Sequence, residues 1–125
     1  MGRMRILVVD DEPEILTIVS SFLAERGYDV VTTGSGDEAL DVVARDADIG
    51  VVLLDVVMPG RNGIDTLKDL MRRSPHPHVI MMTARADEKI FEAVRLGAVD
   101  YLLKPIDFEA LDTTLAASVK RPGKS

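Results

Sequence analysis

A doubly wound α/β sheet, five parallel strands with helices on both faces, is what this 125-residue chain predicts. Three observations carry that expectation. The runs Ile6-Leu7-Val8-Val9, Val51-Val52-Leu53-Leu54 and Val79-Ile80-Met81-Met82 lack polar alternation, which marks strands buried on both faces. Between the runs lie segments with helical apolar spacing, long enough that consecutive strands must pair in parallel through right-handed crossovers. The length is that of one domain with one core, and no second domain fits.

Taken in order, the first run ends in Asp10-Asp11-Glu12, and Pro13 is placed where only the first turn of a helix tolerates it. Ile15, Leu16, Val19, Phe22 and Leu23 recur at helical spacing, and Arg26-Gly27 supplies a basic last turn and a stop. The shorter, more polar Val30-Val31-Thr32-Thr33 suits an edge strand. Ser35 with Glu38 three residues on reads as a capping box for a helix that buries Ala39, Leu40 and Val43.

The third strand delivers Asp55 into a loop broken by Pro59, Gly60 and Gly63. Ile64, Leu67, Leu70 and Met71 mark the next helix, which Ser74-Pro75-His76-Pro77 ends because two prolines remove donors. The fourth strand closes on Thr83. From about Asp87 a helix carries an apolar stripe of Ile90, Phe91 and Val94 and stops at Leu96-Gly97. Tyr101-Leu102-Leu103-Lys104 is the fifth strand, terminated by Pro105, and Asp107 caps a last helix with Phe108, Leu111, Leu115 and Val119 on one face. The domain is expected over residues 4–119, with a linker or disordered tail at 120–125. His76 and His78 are expected to face solvent.

Composition removes several function classes. No apolar stretch approaches the roughly 20 residues needed to cross a bilayer, and no leader precedes the first strand, so a cytoplasmic location without membrane contact is expected. The absence of cysteine excludes thiolate catalysis and Cys-based metal sites. A net charge of −6 argues against direct nucleic-acid contact by this domain, since neutralising phosphates takes clustered Lys and Arg.

The strand ends carry the chemistry. Asp10 and Asp11 follow the first strand, Asp55 the third, Thr83 the fourth and Lys104 the fifth, all on the edge where open α/β sheets assemble their sites. Three carboxylates gathered there repel: two like charges about 4 Å apart cost about 4 kcal/mol at an effective dielectric near 20. Lys104 supplies one positive charge. An all-oxygen acidic cluster suits Mg²⁺, which binds through one or two carboxylates together with water and phosphate oxygens. A carboxylate can itself be the nucleophile that forms an aspartyl phosphate, with charge neutralisation as the main catalytic demand.

Through Ile6-Leu7-Val8-Val9-Asp10-Asp11-Glu12, Leu54-Asp55-Val56-Val57-Met58-Pro59-Gly60, Met82-Thr83-Ala84 and Asp100-Tyr101-Leu102-Leu103-Lys104-Pro105, the chain resembles a response-regulator receiver domain of two-component signalling over essentially its full length. The resemblance implies a flavodoxin-like sheet in the order 2-1-3-4-5. It implies that Asp55 accepts a phosphoryl group from the phosphohistidine of a histidine kinase. Asp11, Asp55 and the backbone carbonyl of Val57 would ligate Mg²⁺, with Asp10 helping through water, and Thr83 and Lys104 would bind the phosphoryl oxygens. Tyr101 would be an aromatic switch turning inward with Thr83, and the bond before Pro105 would be cis. The expected product is a signalling switch and not a turnover enzyme, with self-catalysed Mg²⁺-dependent transfer and slow autodephosphorylation. Its readout would be an effector domain, a partner protein or a phosphorylation-dependent homodimer, engaged through helix four, strand five and helix five. The regulatory domain of a transcriptional regulator leads, ahead of a stand-alone receiver or phosphorelay intermediate.

Rival readings fare worse on the residues. For Asp11, followed three residues later by Glu14, helix capping is the structural alternative. An FMN-binding flavodoxin-like module needs Ser, Thr and Gly amides after strand one, where Asp10-Asp11-Glu12-Pro13-Glu14 would repel a phosphate. A haloacid-dehalogenase-like phosphatase wants two aspartates flanking one residue, and here they are adjacent.

Overall fold

The computed structural model describes residues 4–58, 60 and 62–119. The tail expected at 120–125, like Pro59 of the loop after strand three, lies outside them. Ten elements alternate without exception: β1 (Arg5–Val9), α1 (Pro13–Glu25), β2 (Asp29–Thr33), α2 (Gly36–Arg45), β3 (Ile49–Asp55), α3 (Gly63–Met71), β4 (His78–Thr83), α4 (Glu88–Leu96), β5 (Asp100–Leu103) and α5 (Phe108–Val119). All strand pairs are parallel, and the order is β2-β1-β3-β4-β5. The polar β2 is indeed an edge.

Side-chain alternation divides the central strands between two cores. Leu7, Val9, Val52, Leu54, Val79 and Met81 pack with Ala39 of α2, Leu67 and Leu70 of α3 and Ile90 of α4. Ile6, Val8, Val51, Leu53, Ile80, Met82 and Leu102 pack with Val19 and Leu23 of α1 and Leu111 and Leu115 of α5. Because every second residue shares a face, Asp10 continues the row of Ile6 and Val8, and Asp55 that of Val51 and Leu53. Lys104 continues the row of Leu102. One face and one edge thus hold all three.

Helix ends follow local chemistry with two departures from expectation. Ser35 Oγ accepts from Glu38 N–H at 3.2 Å, but the returning Glu38 carboxylate accepts from Gly34 N–H at 3.3 Å and not from the N-cap amide. Asn62 accepts from Asp65 N–H at 2.9 Å and opens α3, while Asp107 accepts from Glu109 N–H at 2.9 Å. The N-cap of α1 is Glu12, whose side chain makes no capping bond, and Asp11 does not cap. Asp10 Oδ1 instead accepts from Glu12 N–H at 2.9 Å.

Two surface expectations change. On α4 the buried row is Ile90 and Ala93, whereas Phe91 is 61% and Val94 50% exposed. The reason is rotational: the helix turns its small residue to the sheet, so residues 91 and 94 swing outward. His76 and His78 are half-buried, His76 Nδ1 lying 3.1 Å from Pro77 O, because the loop folds back and buries Pro77. The bonds before Pro75 and Pro105 are both cis. Phe108 stacks on Phe22 of α1 with centroids 4.6 Å apart, and the Arg26 guanidinium lies 4.9 Å over Phe22. Val119 closes α5, its side chain outside the described set. Among the described residues no helix is long and apolar enough to cross a membrane.

Candidate functional site: an acidic crevice around Asp55

Strand register levels the site. Val9 pairs with both Thr33 and Leu54, Asp55 with Met82 and Thr83 with Leu103, so the strand ends form one rim. Backbone bonds carry the ladders one step further: Asp10 N–H donates to Thr33 O, Val56 N–H to Met82 O and Lys104 N–H to Thr83 O at 2.7 Å. Lys104 therefore leaves β5 with its backbone still fixed, although the strand itself ends at Leu103.

A crevice of about 310 Å³ opens there, lined by Asp11, Glu12, Asp55, Val57, Thr83, Ala84 and Lys104. Asp10, beside Lys104, is fully buried, and Asp55 nearly so. The Lys104 ammonium lies 2.7 Å from Asp10 Oδ2, 3.3 Å from Glu12 Oε1 and 3.4 Å from Asp55 Oδ2. Asp55 Oδ1 accepts from Val57 N–H at 3.3 Å. Three carboxylates thus face one ammonium. Burial first, and then the neighbouring charge of Asp10, push the Asp55 carboxyl up to about 6 against the opposing pull of Lys104. On Lys104 the largest single influence, burial, acts downward, but bonds and charges from Asp10, Asp55 and Glu12 together raise its pKa. The two shifts agree: Lys104 is shared among three carboxylates and sits nearest Asp10, so Asp55 receives only part of its charge.

One carboxylate oxygen from each of Asp10, Asp11 and Asp55 lies within 4.8 Å of the other two. Three hard oxygen donors, with no nitrogen or sulfur ligand, fit Mg²⁺, and an aspartate raised toward neutrality is relieved by a divalent cation.

The remaining expected residues are placed differently. Thr83 lines the crevice, but its hydroxyl donates to Arg85 O at 3.0 Å and accepts from Arg85 N–H at 3.2 Å, turned into the β4–α4 loop. Residue 83 falls on the opposite face parity from Asp55. Tyr101 is 37% exposed and does not line the crevice.

Two contributors escaped the reading of the sequence. Glu12 reaches Lys104 across 92 positions, and its only sequence signal is the third place in an acidic run. Gly63 lets α3 press against the site: its N–H donates to Val56 O at 2.9 Å, and a Cβ there would stand 2.1 Å from Asp55 O. A glycine in a Pro-Gly loop reads as a turn, and nothing local distinguishes close approach from turn geometry.

Comparisons with known proteins give the family. The response regulator receiver domain family matches residues 6–116. The transcriptional regulatory protein CpxR of Escherichia coli K12 is 40% identical over 119 residues, covering 94% of this chain and 50% of CpxR. The transcriptional regulatory protein ZraR of Salmonella typhimurium is 42% identical over 115 residues, covering 91% of this chain and 26% of ZraR. The chain therefore spans half or less of these relatives. Among solved structures, the chemotaxis protein CheY4 of Vibrio cholerae superposes with a TM-score of 0.88 at 32% identity, covering 94% of this chain and 99% of CheY4. A response regulator receiver domain protein from Clostridium thermocellum gives 0.88 at 33% identity, covering 94% of each chain. The chain belongs to the response regulator receiver domain family.

Proposed function

We propose that the chain is a phosphorylation-dependent switch in which Asp55 accepts a phosphoryl group from a histidine kinase. The observation that carries this is Asp55 itself, a buried carboxylate at the end of β3, within 3.4 Å of an ammonium and opening on a crevice that admits a phosphoryl group. An Asp55 oxygen attacks phosphorus while the phosphorus–nitrogen bond of phosphohistidine breaks and its electron pair returns to the imidazole. Asp10, Asp11, Asp55 and the backbone carbonyl of Val57 would hold Mg²⁺, which supplies positive charge for the transferring oxygens. Lys104 neutralises a phosphoryl oxygen, and the Val57 N–H orients Asp55 before transfer.

Phosphorylation adds charge and acceptor oxygens beside Thr83 and Lys104. To reach them Thr83 must release Arg85, a rearrangement that shifts the β4–α4 loop. Tyr101, half-exposed on β5, then rotates inward. Phe91 and Val94 of α4 and Tyr101 and Leu103 of β5 supply exposed apolar side chains to the surface that the switch remodels. That surface engages an effector domain, a partner protein or a second copy. The transcriptional relatives favour a DNA-regulating output, carried by residues beyond this domain.

The test is incubation with acetyl phosphate and Mg²⁺ followed by intact mass measurement. A gain of one phosphoryl group, lost on chelation and in Asp55→Asn, is expected; no gain on the wild type overturns the reading.

A further inference from the structure

Each described N-cap but one is used for its helix. Ser35, Asn62 and Asp87 all accept a hydrogen bond from the first turn of the helix they open. Glu12, the N-cap of α1, makes none, and glutamate is outside the Ser, Thr, Asp and Asn set that capping favours. Its carboxylate goes to Lys104 instead, at 3.3 Å. Where a local preference is broken without local gain, the compensation is sought at a site.

The backbone of Glu12 is not free to place this contact by chance. Its N–H donates to Asp10 Oδ1 at 2.9 Å, and its carbonyl accepts from Ile15 and Leu16 at 3.1 and 3.3 Å. The residue is pinned between the buried Asp10 and the first turn of α1, and the following Pro13 restricts it further. From there the side chain spans the mouth of the crevice, 62% exposed, and meets an ammonium that is only 15% exposed.

We propose that Glu12 is a positioning residue for Lys104, a latch that holds the ammonium toward Asp10 and the α1 side until a phosphoryl group competes for it. The proposal rests on the reading of Asp55 as the phosphoacceptor. Before transfer the ammonium is divided among Asp10, Glu12 and Asp55. After transfer it must follow the new phosphoryl oxygens, and Glu12 is the partner it can leave at least cost, because that carboxylate is exposed and water replaces the lost contact. Glu12 therefore slows phosphorylation and weakens retention of the phosphoryl group. An exposed ion pair is worth up to about 1 kcal/mol, so releasing it changes a rate about two- to fivefold.

Phosphorylation by acetyl phosphate with Mg²⁺, followed by intact mass over time, compares the wild type with Glu12→Gln, Glu12→Ala and Glu14→Gln. Glu14 carries the same charge two residues away and serves as the charge control. Both Glu12 variants should react about two- to fivefold faster, and Glu14→Gln at the wild-type rate. Added salt should accelerate the wild type more than Glu12→Gln, a response that loss of helix stability would not produce. In chelator, without any phosphodonor, the Lys104 Cε and Hε resonances should move in both Glu12 variants and stay in Glu14→Gln. Equal rates for Glu12→Gln and Glu14→Gln, or unmoved Lys104 resonances, overturn the latch. A wild type that takes no phosphoryl group overturns the phosphoacceptor reading, and the latch with it.

Discussion

Replacing Asp55 by Asn should stabilise the metal-free protein at neutral pH, against the usual rule that altering a buried polar residue destabilises. In the folded chain the Asp55 carboxyl is pushed from 3.8 up to about 6. Above that pH the folded state holds a charge it disfavours, while the unfolded chain ionises freely. A rise of about two pH units, at about 1.36 kcal/mol each, makes the ionised carboxylate a penalty of about 3 kcal/mol. The penalty fades as pH falls through about 6 toward 4, because the folded state takes up the proton first. Asn keeps the shape and leaves an oxygen for the Val57 N–H, so it removes chiefly the charge. Urea unfolding in chelator should show Asp55→Asn more stable by about 3 kcal/mol at neutral pH, equivalent to about 10 °C in Tm. The gain should shrink to nearly nothing by about pH 4. A gain that does not vary with pH, or a loss at neutral pH, would refute the electrostatic reasoning.

Further outcomes follow from the same contacts. Saturating Mg²⁺ should raise the wild-type Tm and leave Asp55→Asn nearly unmoved, since only the wild type retains the full carboxylate set that binding stabilises; equal shifts would place the ion elsewhere. Gly63→Ala should cost about 3 kcal/mol in chemical unfolding, because the added Cβ meets the Asp55 carbonyl at 2.1 Å and backbone cannot yield as a side chain does. Ser35→Ala removes the α2 cap and should cost about 1 kcal/mol without altering phosphorylation, measurable by urea unfolding beside intact mass.

Much of the fold was legible because the strands are extreme in composition. Four aliphatic residues before Asp55 leave no face for water, and that alone separates a central strand from an edge such as β2. Parity along those strands also carries the site. Counting by twos from Ile6, Val51 and Leu102 brings Asp10, Asp55 and Lys104 to one face, so their convergence follows from the alternation of a pleated strand. The same count puts Thr83 on the other face, consistent with its hydroxyl being engaged by Arg85 in this state. What the sequence could not carry was rotation and reach. Phe91 and Val94 have helical spacing with Ile90, yet α4 buries Ala93, and a spacing rule does not distinguish the two when every candidate is apolar. Glu12 lies far from Lys104 along the chain, and Gly63 is set by a backbone contact that only the packed fold creates.

The proposed phosphorylation of Asp55 can be read directly. Borohydride reduction of the protein after reaction with acetyl phosphate and Mg²⁺ converts an acyl phosphate to an alcohol, and peptide mass spectrometry then locates it. The reduced side chain is expected at position 55 and nowhere else, appearing only with Mg²⁺. Reduction at Asp10 or Asp11, or an Asp55 untouched in a protein that has gained phosphate, would contradict it.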